Sequence, residues 1–547
     1  MSCRVSGRNR HTQSLILDAW SFQTWIFDPP SNPADFSSAN LLESFRRATS
    51  IHAFWGGQLH WTSYDPSKGY QHRSGRLALK YGGSPSDYPG FSINFASTTT
   101  TLSEILPSTQ PDVWAIDETF PSTALIPDEE VALQDSFTLE GLPNIAVRVT
   151  RFGCGGVGLG IKMTHSLADA TSLVGFMKIW SDFHANSINP DNERGLASKP
   201  TPTVIFDPSL LDSHASGDLS SPSGPNPALL DISRSLPLHR YDWLVSGGEG
   251  CPPWAERITQ YPAEVKLDSE SRSSHEHDRE RGERMPWGEW DMSLPVRHTV
   301  LRFSADEVER IWENARSSEE LATEEHNPRL RLSRLDTMLA HIWKAVMKAN
   351  GILPTETAYL DLTFGFRTRL SLPSNYLGSP LRQTSITGNP SLPISTLSRS
   401  IRTNLNSIGE PGACEALLHD LAYDTTGQNI WATFLGRRHL LCTSWTRLGV
   451  YEIDFGYSAA VTGTTGATRV PSGRPRWVNA YMPASDGLVQ VMEASAVLAG
   501  AESSRQRTGA KDLGSGDHWW KHGVSVSLHL AEPTMERLLG DPGLREL

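Results

Sequence analysis

The sequence predicts an α/β (α+β) protein built in two comparable halves. Apolar runs of period 2 and apolar faces of period 3.6 alternate in both halves, which mixes strands with helices throughout. The chain has 547 residues, which is two to four domains of ordinary size or two large ones. Polar stretches without apolar anchors divide it into an N-terminal part, 1–205, a crossover, 206–295, and a C-terminal part, 296–547.

The elements follow in order. Residues 144–150 (NIAVRVT) alternate, and Val157, Leu159, Ile161 and Met163 alternate again, so both read as half-buried strands. Between them, residues 153–158 match GxGxxG. A strand follows, not the helix a dinucleotide site needs, so the glycines read as a hairpin. Leu173, Phe176, Met177 and Trp180 then fall on one helix face. Residues 212–226 (DSHASGDLSSPSGPN) and 268–284 (DSESRSSHEHDRERGER) read as loops that cannot offset their ordering entropy by burial. Between them LPLHRYDWLVSG carries aromatics that can pack. In the C-terminal part, Ser304 and Glu307 form a capping box ahead of Val308, Ile311, Trp312 and Ala315. Residues 331–350 are a second helix with Leu335, Met338, Leu339, Ile342 and Val346 on one side, and 359–367 a strand. Residues 448–453 (LGVYEI) are strand-like. After a third polar stretch, 501–516, Val524, Val526, Leu528 and Leu530 alternate as a strand, and 531–539 is a short helix.

The chain is 38% hydrophobic, 9% aromatic and 20% charged, which is globular usage. A net charge of −12 argues against a general nucleic-acid binder, which needs a basic face for phosphates. Its five cysteines are widely spaced and include no CxxC, which reads as reduced thiols in the cytoplasm, without a disulfide framework or a zinc site. No apolar run is long enough for a signal peptide or a membrane span. The expected species is a cytoplasmic monomer with no nucleic-acid or membrane partner.

The most informative segment is 161–170 (IKMTHSLADA). His165 continues the odd-numbered apolar series at the strand's exit, so packing fixes its ring. Partial burial keeps the imidazole neutral, the state a general base needs. A lone histidine at a strand end is more often structural. Asp169 either fixes the ring's tautomer or anchors the turn. With Ser166 as N-cap it fits a capping box, the favoured reading. A His–Asp metal pair finds no further ligands nearby, so no metal is expected. A second segment, 451–460 (YEIDFGYSAA), places Asp454 and Gly456 where a strand-like run breaks into tight backbone. His275-Glu276-His277-Asp278 sits in a charged run and reads as solvated. Trp519-Trp520 reads as packing, and Arg437-Arg438-His439 as a small basic surface more than as a phosphate contact.

Together HSLADA at 165–170 and DFGYS at 454–458 resemble the BAHD family of plant and fungal CoA-dependent acyltransferases, whose pattern is HxxxDG and then DFGWG. FWGGQL at 54–59, the segment 149–183, IFDPSLL at 205–211, LPLHRYDW at 236–243, FRTRLSLPSNYLGSP at 366–380 and TSW at 443–445 extend the likeness, with a fungal flavour similar to trichothecene-type O-acetyltransferases. The resemblance implies two chloramphenicol-acetyltransferase-like domains with a tunnel between them. Acyl-CoA enters as co-substrate, and no cofactor is held permanently. A small alcohol or amine, of secondary metabolism by analogy, receives the acyl group, expected to be acetyl, at His165. It pairs Asp169 with Arg367, makes Asp454 a structural charge, and places position 457 near the reacting centre. Tyr457, Thr443 and Ser444 are therefore the candidate oxyanion donors or substrate-lining groups. Ala170 and Tyr457-Ser458 depart from the family's Gly and Trp-Gly. Those departures keep open a catalytically inactive acyltransferase-fold binding protein. A peptide-synthetase-type condensation domain is the other alternative, but Thr164 stands where that group has a second histidine.

Overall fold

A computed structural model describes residues 3–5, 20–62, 65, 67, 70–72, 76–82, 87–133, 139–189, 202–221, 223–242, 251–253, 282–316, 330–423, 430–458, 473–499 and 518–545. In chain order the principal strands are β1 (Trp20–Phe27), β2 (Ser92–Ser97), β3 (Val113–Ala115), β4 (Ile145–Arg151), β5 (Val157–Thr164) and β6 (Val296–Phe303). They continue with β7 (Ala358–Gly365), β8 (Leu381–Gly388), β9 (His439–Ser444), β10 (Pro475–Tyr481), β11 (Leu488–Glu493) and β12 (Val524–Ala531). The helices that cover them are α1 (Ser38–Ile51), α2 (Ala170–Ile188), α3 (Ala305–Arg316), α4 (Arg334–Ala349), α5 (Ile394–Ile408), α6 (Ala413–Tyr423) and α7 (Glu532–Leu539).

Two large sheets result, and the mixed α/β class read from the sequence is what the chain adopts. The first has the order β10-β1-β5-β4-β2 and the second β8-β7-β9-β11-β12-β6-β3. The sheets exchange edge strands. β10, from the C-terminal part, runs antiparallel to β1 from Pro475↔Phe27 to Tyr481↔Phe22. β3, from the N-terminal part, pairs with β6 at Thr299↔Ala115. A division at 205 and 296 does not follow sheet membership for these two strands, because strand periodicity carries no information about distant partners.

Each sheet buries one face under helices. Trp25, Phe27, Leu159 and Ile161 of the first pack with Phe45 of α1 and Phe176 and Trp180 of α2. In the second, Leu360, Leu440, Val489 and Leu528 meet Met338, Ile342 and Val346 of α4. Two capping boxes start the helices on that side. Ser304 and Glu307 exchange side-chain and backbone bonds at α3, and Ser333 with Asp336 does the same at α4.

Two sequence expectations are corrected. The 212–226 stretch does not stay an unpacked loop: a short helix, Ser209–His214, covers its start, Leu219 is buried, and Asn226 donates its backbone N–H to His419 Nε2 at 3.0 Å. Backbone bonds to α6 supply what its composition lacks. Residues 448–453 form no strand. Arg447 adopts φ 69°, a left-handed conformation that breaks the pleat, and Val450 and Ile453 enter the first core from a loop. Residues 268–281 and 501–516 lie outside the described residues. No described helix is long and apolar enough to cross a membrane.

Candidate active site

β5 carries the site. All eight of its residues are buried, as are residues 166–169 after it. His165 alone between them keeps partial exposure. A polar ring at the only open position in a buried run can meet reactants while most of its hydration is stripped. Burial accordingly pushes the imidazole below its ordinary value of 6.5, against weaker opposing effects of a hydrogen bond to its own backbone and of the Asp169 charge. Nδ1 is the ring nitrogen engaged by hydrogen bonding, which leaves Nε2 as the nitrogen free to face a reactant. Nδ1 stands 3.2 Å from the hydroxyl of Ser379, which is fully buried and comes from the other half of the chain.

Asp169 does not touch the imidazole's hydrogen-bonding atoms. It is the N-cap of α2, and its Oδ1 accepts from Ser172 N at 2.9 Å. The expected cap at Ser166 is corrected: the helix begins four residues later, and the buried Ser166 hydroxyl makes no hydrogen bond. Arg367 grips Asp169 with both terminal nitrogens, Nη1 on Oδ2 and Nη2 on Oδ1 at 3.0 Å. Nη2 also reaches Ser172 Oγ at 3.0 Å and the Gly378 carbonyl at 2.9 Å. That carbonyl takes the Asp169 N–H at 3.2 Å and the Ser172 hydroxyl at 2.8 Å as well. Gly378 has φ 145°, a conformation that favours glycine, and it lets one carbonyl face three donors. The 376–379 turn is thereby welded to the loop carrying His165, and Ser379 is delivered to the ring. Ser379, Ser172 and Gly378 were not singled out from sequence. The turn NYLGS, with serine where the family pattern has asparagine, was the available signal.

Thr443 and Ser444 end β9, which runs parallel to β7 with Leu362↔Cys442. They lie at the same sheet edge from which β7 leads into Arg367 and, through β8's start, Ser379. Leu440 and Cys442 face the helical core, so Thr443 faces the opposite side, away from the helices. Ser444 Oγ bonds Thr446 Oγ1 at 2.9 Å.

The 454–458 segment is elsewhere, and Tyr457 is corrected as an oxyanion donor. Its hydroxyl donates to the Asp28 carbonyl at 2.9 Å, just beyond the Phe27↔Val157 end of the β1–β5 pair. His165 follows the Trp20↔Thr164 end, seven residue steps away, or ~23 Å along a strand. α2 gives the same answer: the Phe455 carbonyl meets His184 Nδ1 at 2.9 Å, fourteen residues from the helix start, or ~21 Å. Asp454 Oδ1 accepts from Gly456 N at 2.9 Å and Oδ2 faces Arg474 Nε at 3.5 Å. Gly456 needs its glycine: φ is 79°, and a Cβ there would stand 2.5 Å from that of Ala185. The segment anchors the far end of α2.

His165 thus stands partly open where the two sheet-bearing halves of the chain meet, against Ser379 of the other half. The model of the Transferase family matches residues 96–221 and 251–492. The chain belongs to that family, the BAHD acyltransferases, and is an acyl-CoA-dependent acyltransferase acting on small-molecule acceptors. It is 27% identical over 465 residues to acyltransferase AFT15-1 of Alternaria alternata, covering 80% of each chain. It is 23% identical over 413 residues to acyltransferase abl6 of Leptosphaeria maculans, covering 74% of this chain and 69% of that one. Among solved structures it is similar to F. sporotrichioides TRI101 complexed with coenzyme A and T-2 (TM-score 0.59, 13% identity, 100% of this chain and 98% of that one). It is also similar to vinorine synthase (TM-score 0.53, 15% identity, 99% and 94%).

Proposed function

We propose that this enzyme moves an acyl group, acetyl by preference, from CoA to a hydroxyl or amine of a small secondary metabolite, with His165 as general base. The partial opening of His165 in an otherwise buried run, with Nδ1 engaged, carries the reading. Nε2 accepts the acceptor's proton as its oxygen or nitrogen attacks the thioester carbon. The tetrahedral oxyanion is met by Thr443 or a nearby backbone amide; such a donor contributes roughly 3–4 kcal/mol. Collapse expels CoA as thiolate, which takes the proton from the imidazolium. The lobes exclude water that would hydrolyse the thioester. Asp169 and Arg367 hold the loop and do no proton transfer. The tunnel between the lobes, the cytoplasmic setting and the monomeric state belong to the same proposal.

The inactive reading rested on two departures, neither of which removes the base. Ala170 is simply the first residue of α2, and Tyr457 is bonded at the other end of that helix. The test is His165→Ala, purified with circular dichroism and melting temperature unchanged, assayed for CoA release from acetyl-CoA with a panel of alcohols and amines. Transfer falls by roughly 10²–10⁴-fold. A variant within about tenfold of wild type removes His165 from this role.

A further inference from the structure

Among the described residues, one cluster has the donor set of a metal centre: His239, Asp361 and His439, with one ligand atom of each within 4.8 Å of the other two. We propose that these three side chains bind one divalent transition-metal ion, zinc by preference, which pins the crossover segment to the second sheet.

The three residues come from separate parts of the chain. Asp361 is in β7, His439 opens β9 beside it, and His239 lies in the crossover, tied to β8 where Ser385 N donates to the Pro237 carbonyl at 2.7 Å. Asp361 and His439 are buried at 0% and 1% exposure. The rings are fixed by stacking, His239 on Tyr241 and His439 on Tyr359, each with centroids 4.7 Å apart.

The distances favour an ion over an ion pair. His239 Nε2 stands 3.2 Å from Asp361 Oδ1, and His439 Nδ1 3.5 Å from Oδ2. Charge-assisted N–H···O bonds close to about 2.7–2.9 Å. Two ligands each ~2.1 Å from one ion and 3.2 Å apart, as His239 Nε2 and Asp361 Oδ1 are, subtend about 100°, close to a tetrahedral angle. Among the described residues His239 is the one polar contact of Asp361 Oδ1, and buried His439 Nε2 has no hydrogen-bond partner. Oδ2 is oriented by Thr433 Oγ1 at 2.7 Å and Phe434 N at 3.2 Å, the outer support a ligating carboxylate needs. The Ser385 hydroxyl, 2.7 Å from His239 Nε2, is the group the ion displaces or takes as a further oxygen ligand. Two imidazoles with one carboxylate suit a borderline cation such as Zn²⁺. The cluster lies four residues before Thr443 on β9, ~13 Å along the strand, so it serves the fold and not the proton transfer.

The test uses the full-length chain, dialysed against Zn²⁺-buffered solution and analysed by plasma mass spectrometry, with Co²⁺ absorbance as a second readout. Wild type retains about one equivalent and gives the visible bands of tetrahedral Co²⁺. His239→Gln, at the half-buried ligand, binds at least about tenfold more weakly while keeping its circular dichroism. A His275→Ala/His277→Ala variant retains the ion. Wild-type zinc below roughly a tenth of an equivalent overturns the site. So does zinc that survives His239→Gln and disappears with the 275/277 pair.

Discussion

In the proposed mechanism His165 owes its readiness to the contact of Nδ1 with the Ser379 hydroxyl. That contact falls on the ring nitrogen that takes no part in the proposed transfer, so Ser379 is a positioning residue. Burial disfavours the imidazolium, and the neutral base therefore persists below the ordinary 6.5; the acid limb of kcat/KM falls below that pH, not above it. Ser379→Ala frees the ring to exchange tautomers and orientations. We expect kcat to fall by about tenfold with the KM for acetyl-CoA unchanged, and Ser379→Asn, which can still bond Nδ1, to recover most of it. A pH profile and kcat equal to wild type in Ser379→Ala would show that the ring needs no such support. Arg367 belongs to a different class of residue: removing it would leave the buried Asp169 charge unpaired, a loss of about 3–5 kcal/mol of stability before any question of rate.

At the scale of elements, β5 and α2 act as two rulers laid between the reacting centre and the 454–458 anchor. Tyr457→Phe removes the bond to the Asp28 carbonyl and leaves its tilted ring contact with Phe36 in place. Stability drops by about 1–2 kcal/mol, read in urea unfolding, while kcat stays at the wild-type value. A loss of kcat without a loss of stability would put Tyr457 back at the centre. β5, α2 and the α3 cap were legible because each is a local pattern: alternation, a helical face, a box of four residues. His165 was legible for the same reason, as the next member of an alternating series. Ser379 was not, since its meaning lies in a contact with a residue 214 positions away. Tyr457 misled because motif order along a chain says nothing of distance across it. The His239–Asp361–His439 cluster was invisible for the reason that hid the strand exchange: three unremarkable positions meet only after β7 and β9 pair and the crossover folds back.

The whole molecule is locked by that exchange. β10 and β3 each place a strand of one half in the other half's sheet, so neither lobe can lose its sheet without disturbing the other. Buried histidines are spread across both. His52 bonds the Ala48 carbonyl behind α1, His184 bonds that of Phe455, and His298 lies in β6 stacked on His529. Burial pushes His52, His184 and His298 down to about 4 from 6.5. The unfolded chain therefore binds more protons than the folded one between those values. Stability is fully present above pH 6.5 and is lost as pH falls towards 4, the three histidines acting in the same sense. Asp486 and Glu493, whose carboxyls burial pushes up, act in the opposite sense and offset part of this. The expected outcome is one cooperative acid transition in which near- and far-ultraviolet circular dichroism change together. Separate transitions for the two lobes would show that the exchanged strands do not couple them, and a urea midpoint constant from pH 7 to about 4.5 would show that these imidazoles are not buried neutral.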